Sequence, residues 1–436
     1  MDRVRAATGD EEVCRLTAEL IRHDTTNRGG GDAAGEREAA EYVAALLDEV
    51  GIGSVAHERA PGRTNLIARW PGNDPALPAL ILHGHLDVVP ADASEWSVPP
   101  FSGEIRDGMI WGRGAVDMKN MVAMMVATVR SLVRAGFIPR QDIILAFFAD
   151  EEDNSHYGAR WLVNSRPEVF RGATVAIGEV GGFSVDVRGN PVFLIQTGEK
   201  GILWIDVRCH GRATHASQLN PDNPVHELAR SITRIAAEPW PVTLTKTTSL
   251  LLDELRATAG LAHDADPLTV AREAGVCAQL VTPGLANVVN GTLLQAGYKQ
   301  NVVPSEATAS LDIRFLPGQR DAVLRRIREL AGPHAEVIVT DEVDAVETVF
   351  GGRIVEIMRT SLKKYCRSAR IAPYLLPAGT DNAMLAELGI SGYGFVPMLL
   401  PAGYDFPAMF HGIDERVPLD ALLFGQAVLT ELIRTS

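Results

Sequence analysis

At 436 residues, with 46% hydrophobic and 22% charged side chains, the chain has the make-up of a globular protein and is too long for one ordinary core, so two domains are expected. Its formal charge of −14 disfavours nucleic acid and anionic membranes, which are bound through basic patches. No stretch reaches the roughly 18 apolar residues of a membrane span, and the start, MDRVRAATGDEEVCRL, carries charges where a secretory signal needs an apolar core; a cytoplasmic chain is expected.

In chain order, Ala39, Val43, Leu46, Leu47 and Val50 recur at helical spacing, and Gly51 closes that helix. Short apolar runs at 65–70, 79–82 and 143–148 predict buried strands. Between the last two, Met118, Val122, Met125, Val126, Val129, Leu132 and Val133 trace one face of a helix that Gly136 ends, so its methionines are core filler and not a soft-metal box. This alternation of helix and strand is the pattern of a sheet covered by helices on both faces.

From about residue 196 the rhythm changes. Leu203, Ile205, Val207 and Cys209 alternate with more polar neighbours, as in a strand with one buried face. A helix over 224–237, strands near 287–295 and 307–315, a helix over 320–331 and a strand over 335–340 complete a βαββαβ order, the split-βαβ, ferredoxin-like layout. Helical patterns resume at Arg353. The chain therefore divides into residues 1–195, an inserted domain at 196–342, and 343–436; the stretch 238–282, with a helix over Leu250 to Leu255, exceeds what the inserted layout needs. Cys14, Cys209, Cys277 and Cys366 are widely spaced and read as small buried hydrophobes, not disulfides.

Five short strings carry the chemistry: HGHLDVVP from His83, GRGAVDMKN from Gly112, ADEED from Ala149, IGEVGG from Ile177 and FHGIDERVP from Phe410. Two of them directly follow predicted strands, where ligands gather in open α/β sheets. A two-metal hydrolase needs a bridging carboxylate, neutral imidazoles and further carboxylates, and His85, Asp117, Glu152, Glu179 and His411 supply that inventory. No CxxC pair competes with it. Gly112 and Gly114 do not make a dinucleotide loop, because the third glycine is missing at the required step.

In this order and spacing, the strings resemble the co-catalytic di-zinc metallopeptidase family that contains aminoacylase, acetylornithine deacetylase, succinyl-diaminopimelate desuccinylase, glutamate carboxypeptidase and carboxypeptidase S. The resemblance spans nearly the whole chain. It implies an α/β fold, a zinc-peptidase-like mixed sheet flanked by helices, with the inserted ferredoxin-like α+β domain acting as lid and as the surface of a homodimer. It implies two Zn²⁺, with Co²⁺ or Mn²⁺ as substitutes, bridged by Asp117, with His85 and Glu179 completing one metal and Glu152 and His411 the other.

The same resemblance makes Glu151 the general base that takes a proton from a metal-acidified water. It makes Asp87 the partner that fixes the His85 imidazole, and His215 of GRATHAS a histidine that reaches the substrate carbonyl in the partner subunit's site. Gln218 and Leu219 stand where the family commonly has a proline. His83 reads as a packed histidine outside the metal shell.

Arg314 lies on the polar face of its strand, free to hold a substrate carboxylate, together with Asn301 of NVVP. Gly379 and Thr380 of PAGTDN offer backbone or hydroxyl groups, and Asp381 reads as the cap of the helix that follows. The implied reaction is cleavage of an N-acyl-amino acid or of a C-terminal peptide bond. Glu179, a glutamate where family peptidases often carry aspartate, leans it toward deacylation. The competing reading, a non-catalytic metal- or small-molecule-binding protein on the same fold, predicts damage to the ligand or base set, which is intact.

Overall fold

The apolar runs Thr64–Trp70, Ala79–His85 and Ile143–Phe148 pair side by side as buried strands near one end of a ten-stranded mixed sheet. The computed structural model describes residues 8–436; the charged stretch at 1–7 lies outside the described residues. Across that sheet the order is Ser54–Glu58, Thr64–Trp70, Ile143–Phe148, Ala79–His85, Ala173–Gly178, Ser391–Gly394, Asn190–Glu199 and Val346–Glu347. Arg370–Leu376 and Phe183–Val187 also pair with Asn190–Glu199.

Ala79–His85 is parallel to both Ile143–Phe148 and Ala173–Gly178. Such central strands are covered on both faces, which is why their residues are continuously apolar and buried. The methionine-rich helix, Lys119–Arg134, is buried through Met121, Val122, Met124, Met125 and Val129 and packs under Glu12–Arg22 and Leu419–Thr435. Its methionines are core, as their spacing predicts.

A second, four-stranded antiparallel sheet has the order Val288–Ala296, Glu306–Phe315, Gly201–His210, Ala335–Val343. With Pro224–Ala236 and Arg320–Ala331 packed on it, this is the expected βαββαβ order. Leu203, Ile205, Val207 and Cys209 face its helices and are fully buried, whereas the alternate residues are not. Asn223 caps Pro224–Ala236 by accepting the Val225 amide at 3.0 Å, with Pro224 at the first helical position.

The stretch assigned from sequence to the inserted domain does not all stay with it. Lys246–Ala259 buries Leu251, Leu252 and Leu255 in the core of the ten-stranded sheet, beside Arg370–Leu376. The short helices that follow, as far as Leu285, pack there too through Val270, Cys277 and Val281. The sequence predicts a helix over Leu250 to Leu255 but not the surface that buries it.

Cys14, Cys209 and Cys277 are buried and Cys366 half-buried; all four are free thiols. No described helix is long and apolar enough to cross a membrane.

Candidate active site

Three neighbouring strands deliver the reactive groups to one edge. His85 ends the first, Asp150 to Glu152 follow the second, and Glu179 follows the third. Because these strands are parallel, their carboxyl ends converge, and the loops beyond them meet. Gly178, just before Glu179, packs so closely on the His83 ring that a Cβ would fall 2.3 Å from it. His83 itself is buried, 2.9 Å from the Asn382 side chain, and burial pulls its pKa down to about 4. It is not among the side chains that gather around Asp117.

His85 is buried. Its Nδ1 donates to the backbone carbonyl of Asp87 at 2.9 Å, which leaves Nε2 to face Asp117 Oδ1 at 3.1 Å and Glu179 Oε2 at 3.5 Å. The expectation that the Asp87 carboxylate orients this ring needs correction, since the nearest carboxylate oxygen is 3.5 Å away. The carboxylate instead accepts the backbone amides of Glu151 and Glu152, at 3.1 and 3.2 Å, and the Asn27 side chain at 2.9 Å. Asp87 thus holds the imidazole with its main chain and the Glu151–Glu152 turn with its side chain.

Asp117 is shared between two clusters. One oxygen faces His85; the other lies 3.3 Å from His411 Nε2, which is also 3.1 Å from Glu152 Oε2. His85, Asp117 and Glu179 bring ligand atoms together within 4.8 Å, and so do Asp117, Glu152 and His411. The structure thus brings these five side chains together in two sets that share Asp117.

Glu415, which follows His411 in its string, was not singled out from the sequence. It is buried and accepts the amides of Gly114, Val116 and Asp117, while Arg113 Nη1 donates to it at 2.7 Å. Arg113 also donates to the His411 carbonyl at 3.3 Å. One buried ion pair therefore fixes both the backbone of Asp117 and the loop that carries His411.

The arrangement fits two cations. Glu152 Oε1 is a buried acceptor without a hydrogen-bond partner among the described residues, a costly state that ligation relieves. The donor set is oxygen and imidazole nitrogen, the choice of borderline divalent ions at open sites. Charge points the same way. Burial, then Asp117, lifts Glu152 to about 7, and burial with Glu179 beside it pushes Glu151 well up. Hydrogen bonds that His411 donates to Asp117 and Glu152 raise its pKa to about 10, and for His85 the pull of Glu179 and Asp117 outweighs burial and raises it. Four crowded carboxylates thus demand positive charge, which bound cations supply in place of protons.

The cluster opens onto a cavity of about 320 Å³, and Glu151 lines it. The nearest imidazole nitrogen, His85 Nε2, is 4.0 Å from the Glu151 carboxylate, beyond hydrogen-bond reach. Gly379, Thr380 and Arg314 line the same cavity. Arg314 is not free: it is held bidentately by Asp312, at 2.6 and 2.9 Å, and Trp204 Nε1 donates to the same carboxylate. The Thr380 hydroxyl donates to Glu199 at 2.8 Å and accepts the Asn382 amide, so Thr380 caps the following helix in place of the expected Asp381.

His215 and Asn301 lie together but away from this cavity. Thr214–His215 pairs with Val302–Val303, and the Ala216 amide donates to the Asn301 carbonyl at 3.0 Å. His215 is exposed, with Nδ1 2.8 Å from Ser217 Oγ.

Paired imidazole–carboxylate clusters sharing one aspartate, at the carboxyl ends of parallel strands, define a metal-dependent hydrolase. The particular family follows: the chain belongs to peptidase family M20/M25/M40, whose model matches residues 81–435. It is 25% identical to the N-fatty-acyl-amino acid synthase/hydrolase PM20D1 of Xenopus tropicalis, over 92% of this chain and 80% of that one. It is 27% identical to aminoacylase-1 of Homo sapiens, over 88% of this chain and 86% of the relative. Its fold is similar to that of an M20 family metallo-carboxypeptidase from Sulfolobus solfataricus, with a TM-score of 0.76 and 20% identity, covering 98% of this chain and 99% of the other.

Proposed function

We propose that this protein is a two-metal amidohydrolase that cleaves N-acyl-amino acids or C-terminal peptide bonds, with deacylation slightly favoured. The observation that carries the reading is Asp117, whose two oxygens face two separate histidine–glutamate sets. Its likeness to aminoacylase-1 along most of both chains supports the amide as the scissile bond.

His85 and Glu179 would hold one Zn²⁺, Glu152 and His411 the other, with Asp117 between them; Co²⁺ or Mn²⁺ would substitute. When bound, the ions supply Lewis acidity toward the substrate carbonyl and an acidified water. Glu151, at the cavity wall and raised by burial and Glu179, is suited to take a proton at its carboxylate and return it to the leaving amine. Asp87 fixes where that carboxylate stands by holding the Glu151 amide. Arg314, preset by Asp312, is the cation available to a substrate carboxylate, beside Gly379 and the Thr380 turn.

His215 and Asn301 are proposed to act from a second subunit, with the four-stranded sheet as lid and dimer surface. Its outer strand, Val288–Ala296, exposes Leu293 and Leu294 and has an unpaired edge. The free thiols accord with a cytoplasmic protein.

The test compares zinc-loaded protein with its Glu151→Gln variant on a panel of N-acyl-amino acids and dipeptides, read by mass spectrometry, with metal content measured alongside. The expected outcome is unchanged metal content and turnover lower by about 10² to 10⁴. Equal turnover in the two proteins would remove Glu151 from the reaction; release from dipeptides alone would make the enzyme a peptidase.

A further inference from the structure

The helical segment that leaves the four-stranded sheet and returns to the large one ends in the active-site wall. Ala278–Val281 sets Leu280 on the cavity lining, half-buried, with its carbonyl 3.5 Å from the Tyr374 hydroxyl. Upstream, Leu251, Leu252 and Leu255 anchor the segment in the core, so Leu280 is presented from a packed base and not from a loose loop.

Apolar side chains make up much of the rest of the lining: Val180, Trp204, Leu376, Met384 and Phe410 face the same cavity as Leu280. Among the described residues Arg314 is the one lysine or arginine on the lining, and the proposed reaction already assigns it to the substrate carboxylate. A charged substituent packed against this wall would lose its hydration without gaining a partner, whereas an apolar one would shed water on both sides.

We propose that residues 246–285 form the element that sets substrate choice, with Leu280 as its size-determining side chain, and that the preferred amides carry a bulky apolar group beside the scissile bond. This rests on the reading of the site as an amidohydrolase and names its substrate class. The apolar group is either the acyl chain or the amino-acid side chain, and each needs its own arm of the experiment.

One arm lengthens the acyl chain from acetyl to octanoyl on a single amino acid; the other keeps acetyl and varies the amino acid through alanine, leucine, phenylalanine, aspartate and lysine. For zinc-loaded protein, kcat/KM is expected to rise about fourfold per methylene in whichever arm meets the wall, the equivalent of ~0.8 kcal/mol per buried CH2, until the space is full. Leu280→Ala should raise the ratio of kcat/KM for the longest over the shortest substrate in that arm roughly tenfold, and Leu280→Trp should lower it by a similar factor. Such ratios do not depend on the fraction of protein that is active. Equilibrium affinities of the Glu151→Gln variant for the same compounds, by calorimetry, read the wall without turnover.

A flat response to apolar size in both arms, or ratios unmoved by both Leu280 variants, would overturn the proposal. Hydrolysis of no member with affinity still graded by apolar size would support the wall while overturning the amidohydrolase reading.

Discussion

The carboxylate of Asp87 accepts the backbone amide of Glu151 at 3.1 Å, while the Asp87 carbonyl accepts Nδ1 of His85 at 2.9 Å. One residue thereby sets the distance between a metal-ligand set and the proposed base. Asp87→Asn keeps the carbonyl but replaces an oxygen that accepts an amide with an NH2 group that cannot. Metal affinity and turnover are each expected to fall on the order of 10- to 100-fold, with Asp87→Ala worse than Asp87→Asn. Chelator competition and kcat measured on the metal-saturated variant separate the two effects. Wild-type turnover in the saturated Asn variant would mean that the carboxylate does not position Glu151.

Glu415 plays the corresponding part for the second cluster. It collects the amides of Gly114, Val116 and Asp117 and pairs with Arg113, which reaches the His411 carbonyl. Glu415→Gln leaves a buried guanidinium without its counter-charge and turns one acceptor into a donor against an amide. The variant should bind its second metal equivalent roughly 10 to 100 times more weakly, seen as a split in a zinc titration that is single-phased in the wild type. An unsplit titration of unchanged affinity would show that Asp117 keeps its position without the pair.

Much of this site was legible because its chemistry sits in short strings at strand ends. The Ile143–Phe148 run and the acids after it are contiguous, so period and motif locate them together. Glu415, Asn27 and Arg113 were not legible, because what makes them matter is a hydrogen bond to residues 60 to more than 300 positions away. The Asp312–Arg314 pairing was within reach: residues two apart on a strand share a face, so the arginine's neighbour is an acid. The helix at Lys246–Ala259 shows the opposite case, in which the leucine-rich run at 250–255 predicts a helix and leaves open which sheet buries it.

The proposed role of His215 requires a second subunit, since its ladder with Val302–Val303 keeps it exposed and off the cavity lining. His215→Ala should lower kcat by about 10² to 10³, as when an oxyanion donor is lost, with metal content unchanged. Mixed with Glu151→Gln protein and allowed to exchange subunits, it should regain up to about a quarter of wild-type activity, because one site in a mixed dimer then has both groups intact. Subunit exchange without any recovery would count against action across the dimer.

Glu199 ends the strand that leads from the large sheet into the small one. It is fully buried, with one oxygen held by Gln196 and Thr380 and the other without a partner among the described residues. Burial raises its pKa to about 8, from an ordinary value of 4.5. Between those values the folded chain binds more protons than the unfolded one, so this group makes stability fall as pH rises through that window, by at most ~1.4 kcal/mol per pH unit. Below pH 4.5 the acid is protonated in both states and the effect vanishes. Glu199→Gln keeps an acceptor for Gln196 and Thr380 but removes the titration. The drop in Tm from pH 5 to pH 8 should therefore be a few degrees smaller in the variant than in the wild type, whatever other groups titrate in both. Parallel Tm profiles would mean that Glu199 is already ionised in the folded protein at neutral pH, and that the buried turn at Thr380 is held by a charge.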